Sequence, residues 1–167
     1  MKPTYAELQV TSNFSFLRGA SSPEDLVGTA TKLGHAAIGI ADRNSLAGVV
    51  RAHVAAKKAG IRLLVGARLD FEDGPSFLCY PTDRAAYGRL TQLLTRGKKR
   101  TQKGQCKLIL ADILEAGLFQ TGVGQVLILV PPDTRDSSFE SQLSKIRSKI
   151  KNNLYLSINY LYSVALG

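Results

Sequence analysis

Short apolar segments alternate along the chain with amphipathic helical segments, and this alternation limits the possible folds more than any other feature. Residues 36–41 and 125–130 are apolar enough to be strands buried in a parallel sheet. Between such segments, apolar residues recur at helical spacing, as at Leu26, Ala30 and Leu33. The alternation predicts a parallel α/β sheet or barrel with right-handed crossovers. Periodicity alone leaves an open doubly wound sheet and a barrel as alternatives.

Capping and turn residues predict where several elements begin and end. We predict a first strand at residues 6–10 and a helix that is capped by Ser22 and ended by Gly34. Asn44 or Ser45 is predicted to cap a second helix. The inward face of this second helix is predicted to comprise Leu46, Val49, Val50 and Val54.

The alternation of strands and helices becomes less regular after the third predicted strand. Residues 68–71 and 76–80 flank the turn-forming residues 72–75, which predicts a hairpin-like pair of strands. Apolar residues at helical spacing predict a helix across residues 139–150, and a further strand is predicted at residues 154–160.

The composition is typical of a single soluble domain. The chain has 167 residues, of which 44% are hydrophobic, and no apolar run is long enough to cross a bilayer. The N-terminal segment lacks the apolar core of a secretory signal. Cys79 and Cys106 show neither metal-ligand spacing nor a disulfide framework. We therefore expect a cytoplasmic, reducing location and no membrane partner.

The net charge of +9 favours an anionic partner, with nucleic acid the first candidate. Residues 96–107 hold six basic residues and no acidic one. This basic cluster is either a solvated loop or a surface that contacts phosphates without sequence specificity, since it contains no aromatic residue on which a base could stack. The possible DNA-phosphate contacts within it are Arg96, Lys98, Lys99, Arg100 and Lys103.

Three segments carry a family resemblance: YAELQVTSNFSFLRGAS at residues 5–21, ADRNSLAGVVRAHVAAKKAG at residues 41–60 and YPTDRAAYGRLTQLLTRGKKR at residues 80–100. They resemble the polymerase and histidinol phosphatase (PHP) domain that begins bacterial family C DNA polymerases, and the error-prone branch most closely. The resemblance implies a distorted (β/α)7 barrel. It also implies that residues 1–167 form a single PHP-like domain, an incomplete N-terminal portion that ends before the barrel closes.

The resemblance further implies that a metal site has been lost. In metal-binding PHP domains the first strand ends in His-x-His, the second in Asp-His, and the third leads to a Glu. These positions fall here on Gln9 and Thr11, on Asp42 and Arg43, and on Arg68. Only Asp42 keeps a ligand side chain, and an arginine cannot bind a cation. We therefore expect neither catalytic residues nor a metal or other cofactor in this chain.

For the full-length protein, the resemblance implies error-prone DNA synthesis past lesions, in translesion synthesis and DNA repair. That reaction would use magnesium in a palm domain far downstream. The implied partners are DNA and the downstream polymerase domains, for which this chain would act as a scaffold. A stand-alone basic nucleic-acid-binding module and a PHP-type metal-dependent phosphoesterase remain as alternatives.

Two hypotheses address the altered site itself. In the first, Asp42 forms buried ion pairs with Arg43 or Arg68, so that hydrogen bonds replace the cross-linking by metal ions. In the second, the two arginines bind a phosphate or a DNA end.

Overall fold

In a computed structural model, which describes residues 5–114, 124–132 and 137–158, the chain forms one mixed sheet with helices on its outer face. In chain order, the elements are β1 (Ala6–Val10), α1 (Pro23–Lys32), β2 (Ala37–Arg43), α2 (Val49–Ala59), β3 (Arg62–Leu69), β4 (Ser76–Pro81), α3 (Arg84–Lys99), α4 (Ala111–Leu114), β5 (Gln125–Val130), α5 (Ser137–Lys149) and β6 (Leu154–Leu156).

The six strands lie in the sheet in the order in which they occur in the chain, from β1 to β6. Strands β1, β2 and β3 are parallel, β4 is antiparallel to both of its neighbours, and β5 and β6 are parallel. The predicted alternation and the hairpin formed by β3 and β4 are therefore confirmed. The sheet curls into a half-barrel, with an inner face and an outer face.

Two groups of helices cover the outer face. Helices α1 and α2 pack on β1 and β2 through a core that includes Val27, Ile38 and Ala52. Helices α3 and α5 pack on β3, β4 and β5 through a larger core that includes Phe77 and Ile146. Because strand side chains alternate between faces, residues on the same strands that follow the other parity line the inner face.

Tyr80 crosses the inner face and connects two strands that are not neighbours in the sheet. Its hydroxyl group, on β4, donates a hydrogen bond to the backbone carbonyl of Leu8 on β1. Its ring lies against Gly39 and Gly66, where an added Cβ would come within 2.6 Å of the Tyr80 Oη atom and 2.5 Å of its Cδ1 atom, respectively. Burial raises the pKa of Tyr80, which keeps the hydroxyl group protonated as a donor.

Helix α2 departs from the prediction. It begins at Val49 after the capping residue Gly48, and neither Asn44 nor Ser45 caps it. Asn44 instead adopts a left-handed turn conformation, with φ of +48°. Val50 and Val54 were wrongly expected to face inward, since their exposed fractions are 72% and 49%.

The buried residues of α2 are Ala52 and Ala56. Their small side chains allow the helix to pack closely against α1 and the sheet. The prediction was wrong because it placed the larger apolar side chains of α2 inward, whereas the helix buries its small alanines.

Other local predictions hold. The Ser22 hydroxyl group accepts a hydrogen bond from the Asp25 amide and caps α1, and Gly34 follows the helix with φ of +74°. Strand β1 has the predicted bounds, whereas β6 covers only the first three residues of the segment predicted at 154–160, of which residues 159–160 lie outside the described ranges. Within the part of the chain that the structure describes, no helix is both long and apolar enough to cross a membrane.

The close contact of Tyr80 with Gly39 and Gly66 predicts that one added methyl group will lower the stability of the fold. Gly66→Ala would place a Cβ 2.5 Å from the Tyr80 ring and 2.8 Å from the Cys79 carbonyl oxygen. Since neither backbone nor ring can move freely, we expect a loss of about 1–3 kcal/mol in the free energy of unfolding. Urea unfolding followed by circular dichroism would measure it.

Gly88→Ala is the matched control for this substitution. Gly88 lies within α3, and a Cβ added there meets no atom within 4 Å. Alanine has the higher helix propensity, so we expect this variant to gain about 0.5–1 kcal/mol. Equal unfolding midpoints for the two variants would contradict the role given to Tyr80.

Candidate functional site at the carboxyl edge of the first three strands

The carboxyl ends of β1, β2 and β3 lie side by side at one edge of the sheet. The register pairs Asp42 with Ala67 and Arg43 with Arg68 across β2 and β3. Gln9 lies in β1, and Thr11 directly follows that strand. The structure therefore brings all five positions of the implied metal site to the same edge, which is where parallel α/β folds bind ligands.

Asp42 is buried and holds the loop that follows β1. Its exposed fraction is 1%. The carboxylate accepts hydrogen bonds from the Ser12 amide, the Ser12 hydroxyl group and the Ser15 hydroxyl group, each at 2.8 Å. The Ser15 hydroxyl oxygen also accepts a hydrogen bond from the Arg43 amide at 2.9 Å. These bonds fasten the first loop to the end of β2.

The expected ion pair between Asp42 and an arginine is wrong. In the described ranges, the ion pairs of Arg43 and Arg68 are with Asp70, and the hydrogen bonds of the Asp42 carboxylate come from Ser12 and Ser15. Successive residues of a strand point to opposite faces, so Asp42 and Arg43 diverge. The hypothesis paired residues that are adjacent in sequence but face away from each other.

Asp70 joins the two arginines. Its carboxylate accepts a hydrogen bond from Arg43 Nη1 at 2.8 Å and another from Arg68 Nε at 2.8 Å. The Ser76 hydroxyl group donates to the same carboxylate at 2.6 Å and accepts from Arg68 Nη2 at 3.2 Å. Asn44 contributes as well, because its side-chain oxygen accepts from the Asp70 amide at 3.0 Å.

These contacts shift the pKa of Asp70. Burial acts to raise the pKa of this carboxyl group, but the hydrogen bonds from Ser76 and Arg68 and the charges of Arg68 and Arg43 outweigh it. The net effect is a pKa below the ordinary aspartate value. Sequence reasoning missed Asp70, although it is the acidic residue that directly follows β3 in the segment LLVGARLDF.

The residues at this edge do not fit a metal site. Within residues 5–114, 124–132 and 137–158, no group of three or more His, Cys, Asp or Glu side chains is placed to hold a metal ion. The Asp42 oxygens accept hydrogen bonds from serine donors, and two guanidinium groups stand at the implied ligand positions. Guanidinium groups repel a cation, so the chemistry of this edge does not support a metal-assisted step.

Some residues of the basic cluster form ion pairs with Asp112, and others line a cleft. Arg100 donates two hydrogen bonds to the buried carboxylate of Asp112, at 2.6 and 2.7 Å, and Arg96 lies 3.7 Å from the same carboxylate. Burial acts to raise the pKa of Asp112, but Arg100, the Ile109 amide and Arg96 together lower it. Arg96 and Arg100 therefore shape the loop at residues 100–107.

Lys98 and Lys103 have a different environment. Together with the first loop and the turn after β2, they line a cleft of about 570 Å³, which we name the cationic cleft. Lys99 instead lines a separate groove with Thr91 and Arg96. The charged and aromatic residues that line the cationic cleft are Arg18, Arg43, Lys98, Lys103, Phe14 and Phe16.

Comparisons with known proteins agree with this architecture. The PHP domain model matches residues 7–160. Over 162 residues, the chain is 54% identical to the error-prone DNA polymerase of Caulobacter vibrioides, a match that covers 96% of this chain and 14% of that relative. The chain thus spans about one seventh of the length of the curated relatives that it matches.

Two solved structures share the fold at 15% sequence identity, and each match covers 87% of this chain and 74% of the other. One is a proposed metal-dependent phosphoesterase from Bifidobacterium adolescentis, with a TM-score of 0.65. The other is an amidohydrolase from Chromobacterium violaceum, solved with bound sulfate and no metal, with a TM-score of 0.66. The expected fold, an incomplete PHP-type barrel, is confirmed. The chain belongs to the PHP domain family and corresponds to the N-terminal region of error-prone DNA polymerases.

Proposed function

We propose that this chain is the N-terminal PHP portion of an error-prone DNA polymerase that acts in translesion synthesis and DNA repair in the cytoplasm, and that its role there is structural. The observation that carries the structural role is the network at the carboxyl edge, in which serines and an aspartate engage Asp42, Arg43 and Arg68. The identity to error-prone DNA polymerases supports the wider assignment.

The hydrogen bonds and ion pairs of this network connect the ends of neighbouring strands, as the ligands of a bound metal cluster would. Asp42 joins the loop after β1 to the end of β2, through Ser12 and Ser15. Asp70, which follows β3, joins β2 through Arg43 and β4 through Ser76. Protein side chains therefore cross-link the ends of four consecutive strands at one edge, and we propose that this edge supports the neighbouring domains.

The alternative of a PHP-type phosphoesterase is disfavoured by the chemistry of the edge. Activation of water against a phosphoester would need a divalent metal or an equivalent base. Arg43 and Arg68 supply positive charge instead, and their common partner Asp70 is held by hydrogen bonds from both. Magnesium would be needed only by the downstream polymerase domains of the full-length protein.

Primer extension tests this assignment. We expect the native full-length polypeptide to extend a primer past an abasic template site with Mg²⁺, and the 167-residue chain alone to add no nucleotide. The chain alone should also fail to hydrolyse p-nitrophenyl phosphate with Mn²⁺ or Mg²⁺. Metal-dependent hydrolysis by the purified chain, lost in Asp42→Asn, would replace the structural role with a catalytic one.

Removal of the Asp42 carboxylate tests the cross-link between β1 and β2. Asp42→Ala leaves the Ser12 amide and the hydroxyl groups of Ser12 and Ser15 without their acceptor in a buried site. We expect the free energy of unfolding to fall by about 3 kcal/mol, as measured by urea denaturation. Glu24→Ala is the control, since it removes a carboxylate whose ion pair with Arg51 is exposed. A similar loss in both variants would contradict the cross-link.

The lowered pKa of Asp70 predicts a specific dependence of stability on acid. Because this pKa is lower in the folded than in the unfolded chain, the ionised group stabilises the fold above about pH 4. That contribution disappears as the pH falls through the folded pKa. Asp70→Asn should therefore be less stable than the wild type near neutral pH, and the difference should shrink as the pH falls below about 4.

Urea unfolding at a series of pH values measures this effect. Asp73→Asn is the matched control, because Asp73 accepts a hydrogen bond from the Leu110 amide but has no ion pair within the described residues. A constant difference between wild type and Asp70→Asn across the acid range would show that Asp70 does not act through its charge.

A further inference from the structure

The cationic cleft carries an inference that goes beyond the structural role and does not depend on it. The cleft lies where three segments meet: the loop after β1, the turn after β2, and the end of α3 with its following loop. Its volume of about 570 Å³ falls within the range of ligand-binding pockets, roughly 300–1,000 Å³. No acidic side chain is among the described residues that line it.

The charges in the cleft differ in how they are paired. Arg43 is held by Asp70 at 2.8 Å. In the described part of the chain, Arg18, Lys98 and Lys103 have no ion pair. Three cations with no local counter-charge around a concave surface produce a positive potential that attracts an anionic ligand.

Aromatic side chains stand beside these cations. Phe14 and Phe16 line the cleft from the loop after β1, and their exposed fractions are 39% and 84%. Phe14 also packs beneath the Arg51 guanidinium group, whose centre lies 5.8 Å from the ring centroid. Phe16 makes no ring contact with another residue of the described ranges, so one face of its ring is available for stacking.

Both walls of the cleft are held in place. The loop that carries the two phenylalanines is fastened by the hydrogen bonds between Asp42 and the serines. On the other wall, Arg100 is bound to Asp112 and the Lys107 amide donates to the Gly97 carbonyl at 3.1 Å. Gly97 permits this close approach, because an added Cβ would lie 2.6 Å from Leu108 and 2.7 Å from the Cys106 sulfur. A preorganised cleft loses little entropy when it binds a ligand.

Unpaired cations next to an exposed aromatic ring match the chemistry of single-stranded nucleic acid. Phosphates would contact the cations, and an unpaired base would stack on the ring. Gln102 and Gln105 line the same cleft, and their side-chain amides offer both donors and acceptors to a bound nucleotide. A membrane surface would not enter a concave site, and an acidic peptide would leave the ring without a matching partner.

We propose that the cationic cleft binds a segment of one or two nucleotides of single-stranded nucleic acid, with Lys98, Lys103 and Arg18 on the phosphates and Phe16 under a base. The cleft does not select a base, because stacking on an aromatic ring accepts every base. Lys99 takes no part, since it faces a different groove.

Fluorescence anisotropy with a labelled oligothymidylate and the 167-residue chain tests this proposal. We expect affinity that falls with salt, with a slope of log K against log salt of about −0.7 for each phosphate contacted. Lys98→Gln and Lys103→Gln should each reduce that slope by about 0.7. Phe16→Ala should weaken binding about tenfold, the effect of one lost stacking contact, and leave the slope unchanged.

Two matched controls separate the cleft from general surface charge. Lys99→Gln removes a charge next to Lys98 in sequence but outside the cleft, and Leu17→Ala removes an exposed apolar side chain next to Phe16. Both should keep the wild-type affinity within about twofold, which is small beside the loss of one stacked base. Thermal melting of each variant checks that its fold is intact.

Several results would overturn the proposal. Equal losses from Lys98→Gln and Lys99→Gln would mean diffuse charge attraction, and an unchanged affinity for Phe16→Ala would remove the stacking contact. Equal binding of duplex DNA would exclude a single-strand site. Competition by polyglutamate as strong as that by the oligonucleotide would indicate an acidic peptide, and competition by thymidine monophosphate as strong would indicate a free nucleotide. None of these results bears on the structural role of the carboxyl edge.

Discussion

The buried carboxylate of Asp42 is the contact on which the rest of this edge depends. It satisfies three donors from the loop after β1 and, through Ser15, reaches the backbone of the next residue in β2. A loop of this kind would otherwise leave polar groups unpaired next to the sheet, at a cost of about 1–3 kcal/mol for each buried group. The same bonds fix where Phe14 and Phe16 emerge, so the shape of the cationic cleft follows from an interaction beneath it.

A second constraint acts across the sheet. Tyr80 connects β4 to β1 over the inner face, and it can do so only because Gly39 and Gly66 have no side chain beneath its ring. At the carboxyl ends of β2 and β3, Asp70 holds Arg43 and Arg68, so these ion pairs act on the same sheet that Tyr80 spans.

The sequence predicted the elements better than it predicted their contacts. Strand alternation, the helix cap at Ser22 and the β3–β4 hairpin depend on local patterns, and the structure confirms them. The start of α2 was wrong because Asn44 serves a long-range contact with Asp70, and a local capping rule cannot register such a partner. The expected ion pair of Asp42 with Arg43 or Arg68 was wrong because adjacent residues of β2 point to opposite faces of the sheet, and both arginines pair with Asp70. The basic cluster contains no aromatic residue of its own, and sequence analysis could not show that Phe16, from a loop about eighty residues earlier, lines the same cleft as Lys98.

The residues at the implied ligand positions also give this edge an electrostatic sign opposite to that of a metal site. A site for divalent metals needs converging carboxylates and imidazoles, and such a site would repel a phosphate in the absence of the metal. Here the two cations of Arg43 and Arg68 face the single anion of Asp70, which leaves a net positive charge. Arg100 and Arg96, by contrast, form ion pairs with Asp112 next to the adjacent loop, so Asp112 offsets part of their charge. Because Arg43 also lines the cationic cleft, the positive charge of this edge adds to the positive potential around Lys98 and Lys103.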